Sequence, residues 1–375
     1  LDVAGIDISG RIAYRDEATG ETIEVTNLEL SAGSIVDGKP FALEAKLNVS
    51  GLAPDTDVRL DLLSDATLDL AAQTVALSGT DMKLAVTSPE VPGGSADINL
   101  SLADVRDLGA ETFSFAGLAM QLRAAGISLS VNGNGAVTDS IPAIDGDLSV
   151  APFSPRDLLQ ALGEPPMETA DPADLNNVAV DAAFNVQGDT AELNLFNVVL
   201  DDTTGAGQFS LSSIENMSTE LDLQFDTLDL DRYTAPTPEN AGGQGGGGGG
   251  GANDALDLPV EDLRALDVSG RIGFDELSVA DITLKKLNMR IRAQEGVIRL
   301  APIRANLYGG RYTDKISLDV TGDVPKVALK SDLQRVRIGR FLADTQDFRN
   351  IEGTADVSLD VRTTGLTESD MLENV

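Results

Sequence analysis

Glu220-Leu221-Asp222-Leu223-Gln224-Phe225-Asp226 places an apolar side chain at every second position and a polar one between. Successive side chains of an extended strand point to opposite faces, so this period turns one face to an apolar environment and the other to water. The pattern recurs. Ile316, Leu318 and Val320 alternate with Ser317 and Asp319, and Val357, Leu359 and Val361 alternate with Ser358 and Asp360. Clusters of Gly, Asn and Asp punctuate such runs, and Asn132-Gly133-Asn134-Gly135 and Gln187-Gly188-Asp189 predict hairpin turns. The spacing is that of a long antiparallel β meander.

Helix signals are few. Ser154-Pro155, the run Arg156 to Leu162 and then Gly163 read as an N-cap, a proline in the first turn and a glycine stop. Shorter helices are expected near Pro259–Leu266 and around Ile338–Asp344, each capping a β layer. Ahead of Pro259 runs Gly242-Gly243-Gln244 and the unbroken Gly245–Gly251, with no side chains whose burial would offset the entropy of ordering. A phosphate-binding loop would need a following Lys-Ser/Thr and a strand-to-helix turn, and neither is present. The stretch predicts a flexible linker. The chain also echoes itself: Asp7-Ile8-Ser9-Gly10-Arg11-Ile12-Ala13-Tyr14 is similar to Asp267-Val268-Ser269-Gly270-Arg271-Ile272-Gly273-Phe274. Each copy leads into a further alternating segment, with Leu28 and Leu30 in one case and Leu287, Met289 and Ile291 in the other. A repeated strand unit that cannot bury its face alone implies stacking.

Composition narrows the chemistry. The 375 residues carry a formal charge of −34, an average field that repels nucleic acid and anionic headgroups. The charge is uneven: residues 1–255 hold 10 Lys/Arg against 41 Asp/Glu, and residues 256–375 hold 17 against 20. Two segments with different surroundings would explain this, as would drift. Cysteine is absent, which removes disulfides and thiolate metal sites and agrees with an oxidising compartment. Histidine is absent too, which removes Ser-His-Asp and Cys-His chemistry and imidazole ligation. Carboxylate pairs such as Asp229 with Asp231, or Asp201 with Asp202, have the residue types for acid/base work. Acids two apart on a period-two strand are equally what any solvated face carries, so no catalytic pair stands out and no enzyme is expected. Neither an EF-hand loop nor a Gly-Gly-x-Gly-x-Asp repeat occurs, so neither a dedicated calcium site nor any cofactor is expected. No run of apolar residues approaches the roughly 18–20 needed to cross a bilayer. A chain that opens on Leu1 is expected to be a piece of a longer protein, with any anchor outside it.

Several segments together resemble the AsmA family. They are Leu228-Asp229-Leu230-Asp231-Arg232-Tyr233, then Leu258-Pro259-Val260 through Leu266-Asp267-Val268-Ser269-Gly270-Arg271, then Leu284 to Tyr312. The last of these holds Gly296-Val297-Ile298-Arg299-Leu300 and ends on Ala305-Asn306-Leu307-Tyr308-Gly309-Gly310-Arg311-Tyr312, similar to the family's most recognisable signature. Pro152-Phe153 to Gly163 and Ile351-Glu352-Gly353-Thr354-Ala355 add to it. The resemblance spans the chain from about Asp145, and the first 140 residues are compatible but less distinctive.

The resemblance implies an inner-membrane-anchored, periplasmic protein of a Gram-negative bacterium, related to bridge-like lipid transfer proteins. It implies a mainly β fold, an elongated and strongly curved antiparallel β-sheet forming an open groove, with a few short capping helices. It further implies a role in phospholipid traffic to the outer membrane and in protein assembly there. The expected partners are phospholipid, the inner membrane through an anchor and other envelope proteins, with no nucleic acid among them. On that reading Leu221, Leu223, Phe225, Ile316, Leu318, Val320, Val357, Leu359 and Val361 contact lipid collectively. The same side chains would equally build a dry sandwich core, which would leave a non-catalytic structural module. The expected segments are an acidic β-repeat part over 1–144, a β part with a short helix over 145–235, a Gly-rich linker over 236–255 and an AsmA-like β part over 256–375.

Overall fold

The computed structural model describes residues 2–15, 22–52, 54–108, 111–165, 167, 169–171, 173–213, 217–233, 260–346, 348 and 350–365. The Gly-rich stretch expected as a linker lies outside them. The chain forms two compact units, residues 1–166 with 175–189, and residues 167–174 with 190–375.

The first unit holds β1 (Asp2–Val3), β2 (Ile6–Arg15), β3 (Thr22–Ala32), β4 (Ile35–Val36), β5 (Pro40–Leu52), β6 (Thr56–Asp69) and β7 (Thr74–Thr87). It continues through β8 (Ser95–Leu108), β9 (Thr112–Ala124), β10 (Ile127–Thr138), β11 (Ile141–Phe153), helix α1 (Pro155–Leu162) and β12 (Val178–Gln187). Apart from the small β1–β4 pair, each strand pairs antiparallel with the next long strand in the chain, from β2 to β12. Helix α1 begins as the residues predict. The Ser154 Oγ accepts the Asp157 N–H at 3.2 Å, Pro155 opens the helix, and Gly163 closes it at φ 77°.

The second unit holds β13 (Thr190–Leu200), β14 (Thr203–Ser213), β15 (Ser218–Asp229), helix α2 (Val260–Ala265), β16 (Val268–Val279) and β17 (Ile282–Gln294). Then follow β18 (Val297–Leu307), β19 (Gly310–Asp319), β20 (Lys326–Arg337), helix α3 (Ile338–Gln346) and β21 (Thr354–Thr364). The three expected helices are all present. So is the repeat: its two copies open β2 and β16, each the first strand of an antiparallel pair.

Two expectations need correction. The sheet is not antiparallel throughout, because β15 and β16 run parallel, with Leu221 opposite Gly270 and Phe225 opposite Phe274. The chain between them, residues 230–267, is long enough to carry it back along the strand, which a parallel pair requires and a tight turn cannot do. Asn132–Gly135 is not a turn but the interior of β10, with a register shift between Gly133 and Gly135 against β9. Gly135 there, and Gly146 on the next strand, make room for rings from neighbouring strands. A Cβ on Gly135 would stand 2.7 Å from the Phe115 ring, and one on Gly146 of β11 would stand 2.9 Å from the Phe184 ring. Gly188–Asp189 is a turn as predicted, with Gly188 at φ 60°.

The AsmA-like signature forms the β18–β19 hairpin. Tyr308 (φ 46°) and Gly309 (φ 79°) both occupy the left-handed region that a two-residue hairpin turn of the primed type needs. The Tyr308 ring meets Phe341 of α3 edge-on at 5.9 Å, which docks the helix on this end of the unit.

Candidate functional site

The first unit carries its apolar side chains in register. Ile8, Leu30, Ala45, Leu62, Met82, Leu100, Met120, Val131, Leu148 and Ala182 stand opposite one another in turn, one from each of ten paired strands. A second row beside it runs Leu47, Leu60, Leu84, Ile98, Leu122, Leu129, Val150 and Val180. At roughly 4.8 Å between strands the longer row extends about 40 Å along the sheet. Side chains so placed in a dry sandwich would be buried. Here only Ala182, at 5% exposure, is; Ile8 is 50% exposed and the other eight of the first row are half-buried. These side chains are thus covered only in part.

The second unit repeats the device with a denser centre. Leu193, Phe209, Leu221, Gly270, Ile291, Leu300, Ile316, Leu329 and Val361 form one row over nine strands. Three of the nine residues expected to meet lipid, Leu221, Ile316 and Val361, thus share a row. Leu223 and Leu359 lie in the adjacent row, Phe225 stacks on Phe274, Leu318 pairs with Val327, and Val357 stands opposite Leu333. Val357 and Leu359, each 47% exposed, lie on β21, which pairs with β20 alone among the described strands. Val320 has a different setting. It lies one residue past β19, is fully buried, and its carbonyl accepts the Arg264 Nε–H of α2 at 2.7 Å. Around Phe274, Leu277, Leu287, Ile303 and Ala305 the face closes into a buried cluster.

Sequence reasoning named none of the first unit's rows, although the signal was there in Leu118, Met120 and Leu122 or in Val58, Leu60 and Leu62. It also passed over a polar step in the second unit. In the row Leu223, Ile272, Met289, Ile303 the next two strands contribute Asp314 and Ser331. Asp314 is 3% exposed, and its Oδ2 accepts the Tyr312 hydroxyl at 2.6 Å. Tyr312-x-Asp314-x-Ile316 holds one parity, so the alternation alone puts this acid on the inner side.

The carboxylates singled out earlier are tied to structure. Asp231 accepts the N–H groups of Ala280 at 2.6 Å and Asp281 at 3.0 Å, and Asp229 accepts the Asp231 N–H at 3.1 Å. Arg232 donates to fully buried Asp174 and, at 3.2 Å, to Asp202; the Tyr233 hydroxyl donates to Asp201 at 3.0 Å. The Asp174 hydrogen bond, then that of Asp202, holds the guanidinium still more firmly in its charged form. Among the described residues no group of three or more acidic side chains is arranged to hold a metal ion.

Burial, aided by the Asp201 bond, pushes Tyr233 up to about 12, and burial with the Asp344 bond does the same for Tyr308. Tyr312 is pushed up as well, by burial and then by Asp314. A folded value above the unfolded one, about 10, means stability that is complete below pH ~10 and lost as pH climbs through the folded value. Denaturant midpoints of the second unit are therefore expected to fall between pH ~10 and ~12, and to fall less in Tyr233→Phe and Tyr308→Phe. Ultraviolet absorbance showing all tyrosines of the native protein ionising at the ordinary pH would refute this.

No helix of the described residues is long and apolar enough to cross a membrane, a statement that does not bear on crossing by strands. The model of the AsmA family matches residues 169–375, more than half of the chain. No curated protein and no solved structure matches.

Proposed function

The chain belongs to the AsmA family, a family of envelope proteins, and from that footing we propose that it shields phospholipid acyl chains on the apolar side of its sheets. In this reading the segment is periplasmic, held to the inner membrane by an anchor, and supports phospholipid transport to the outer membrane. It assigns no catalytic step and no cofactor. The observation that carries it is the first unit's apolar row, which crosses ten strands without a polar residue and remains partly exposed at nine of its ten positions. An acyl chain of about 16 carbons costs roughly 12 kcal/mol to hold in water, at ~0.8 kcal/mol per methylene. A continuous apolar strip offsets that cost at every position along it, so lipid can move without crossing a barrier at each strand. The headgroup stays in water at the edge of the strip, and no fixed polar ligand is required.

The buried cluster around Phe274 favours a second reading for its own part of the second unit. There the side chains use up one another's surface, as in a structural module that assists outer-membrane protein assembly.

Native mass spectrometry of the protein prepared from cells tests the proposal. Bound phospholipid is expected on the parent, with occupancy at least about tenfold lower in Leu84→Asp/Leu100→Asp, where two charges interrupt adjacent rows. Parent protein free of lipid, or a variant that carries as much as the parent, would leave only the scaffold.

A further inference from the structure

The outward side of the second unit carries an arrangement that the average charge of the chain conceals. On β16 to β20 three pairs of like charges stand directly opposite across the ladder: Arg271 with Arg290, Arg292 with Arg299, and Lys315 with Lys330. Like charges in that position are destabilising. Some of these side chains find an acid, Arg271 with Asp222 and Lys330 with Asp360 at 3.7 Å. Arg290, Arg299, Arg304, Arg311 and Lys315 are all exposed, and none makes an ion pair among the described residues. This occurs in a chain with 61 acids and 27 bases, where partners are plentiful. Arg299 acts at longer range on Asp319, and Arg292 on Asp267, but the opposed pairs still repel across the ladder, and an anion outside the chain would relieve them.

We propose that this face of β17, β18 and β19 is a docking surface for the phosphates of an anionic phospholipid layer. Arginine predominates, and its planar fork suits phosphate oxygens better than an ammonium does. The outward positions beside the bases include Asn288, Asn306, Thr313 and Ser317, which can hydrogen-bond headgroups, with Val297 and Asp319 opposite each other at one end of the face. No aromatic or large aliphatic side chain stands among them to anchor a protein partner, whose interface would be centred on such residues. A dense headgroup layer needs no anchor of that kind, since each base near it contributes separately. The net charge of −34 does not oppose this at contact, because salt confines the field to about 10 Å at 0.1 M. The inference is independent of what the apolar side carries, since it concerns the opposite face.

The test is flotation of the full chain with phosphatidylcholine vesicles, with and without phosphatidylglycerol, at low and high salt. Binding is expected only with phosphatidylglycerol and is expected to weaken with salt. The variant Arg290→Gln/Arg299→Gln/Arg304→Gln should bind about a hundredfold more weakly. It should also melt no lower than the parent, since repulsion has been removed. Equal binding to neutral vesicles, an unweakened variant or a variant melting well below the parent would each overturn the proposal. Salt-sensitive self-association that the variant loses, without vesicle binding, would overturn it in favour of an acidic protein face. Copurifying lipid is measured separately, so failure here is distinct from failure of the carrier reading.

Discussion

Alanine at Gly270 is expected to break the parallel join between β15 and β16, at a cost of at least about 3 kcal/mol, while alanine at Gly10 leaves the protein as stable as before or slightly more so. The two glycines occupy the same place in the repeated Ser-Gly-Arg-Ile. Gly270 sits at φ 155°, and a Cβ there would overlap the carbonyl oxygen of Leu221 on β15, a backbone atom that cannot move without breaking the ladder. Gly10 has nothing within 4 Å, because β2 pairs with β3 on one side and with no other described strand. A strand glycine under no constraint costs roughly 0.5–1 kcal/mol relative to alanine, so its replacement can only help. Urea denaturation of each variant, with hydrogen exchange across Leu221–Phe225, reads the difference. Equal effects at the two positions would mean that the parallel pairing does not hold in solution.

Phe274→Ala is expected to cost about 3–5 kcal/mol, the range for removing a large buried aromatic side chain. Phe274 is 8% exposed, belongs to the one buried apolar cluster of the second unit among the described residues, and stacks on Phe225 with ring centres 5.1 Å apart. Phe225 in turn lies over Gly205 of β14, where no Cβ competes for the space. Removing the Phe274 ring therefore leaves a cavity and an unsupported neighbour. Leu84→Ala in the first unit should cost only about 1 kcal/mol, because a half-exposed side chain surrenders less buried area and the space it leaves is open to water. Thermal or urea unfolding of the pair decides. Comparable losses at Phe274 and Leu84 would show that the two faces are equally closed, and would remove the distinction on which the carrier reading of the first unit rests.

Much of the architecture is local and therefore legible. Period two in Leu221–Phe225 or Val357–Val361 identifies a strand and its apolar side without reference to any neighbour. Ser154, Pro155 and Gly163 mark a helix start and stop because caps act on the adjacent turn alone. Asn132–Gly135 misled for a related reason. Asn-Gly has a turn propensity, but the neighbouring strands outweighed it, since Gly135 leaves room for the Phe115 ring of β9 and Gly133 for the Asp145 carbonyl of β11. Of the candidate site, the alternation named Leu221, Ile316 and Val361, which share one row, and left the first unit's rows unnamed because each strand taken singly looks like any other.

The amino-acid order alone thus determined that this chain is mainly β, which side of each strand is apolar, where its helices begin, and the family it resembles. Pairing direction, register and what lies across the ladder belong to the tertiary structure. They decided that β15 meets β16 in parallel, that ten apolar residues line up into one half-open row, and that Arg292 faces Arg299. The physical reason is that a strand's own sequence sets its two faces, whereas its neighbours are set by how far the chain travels before it returns.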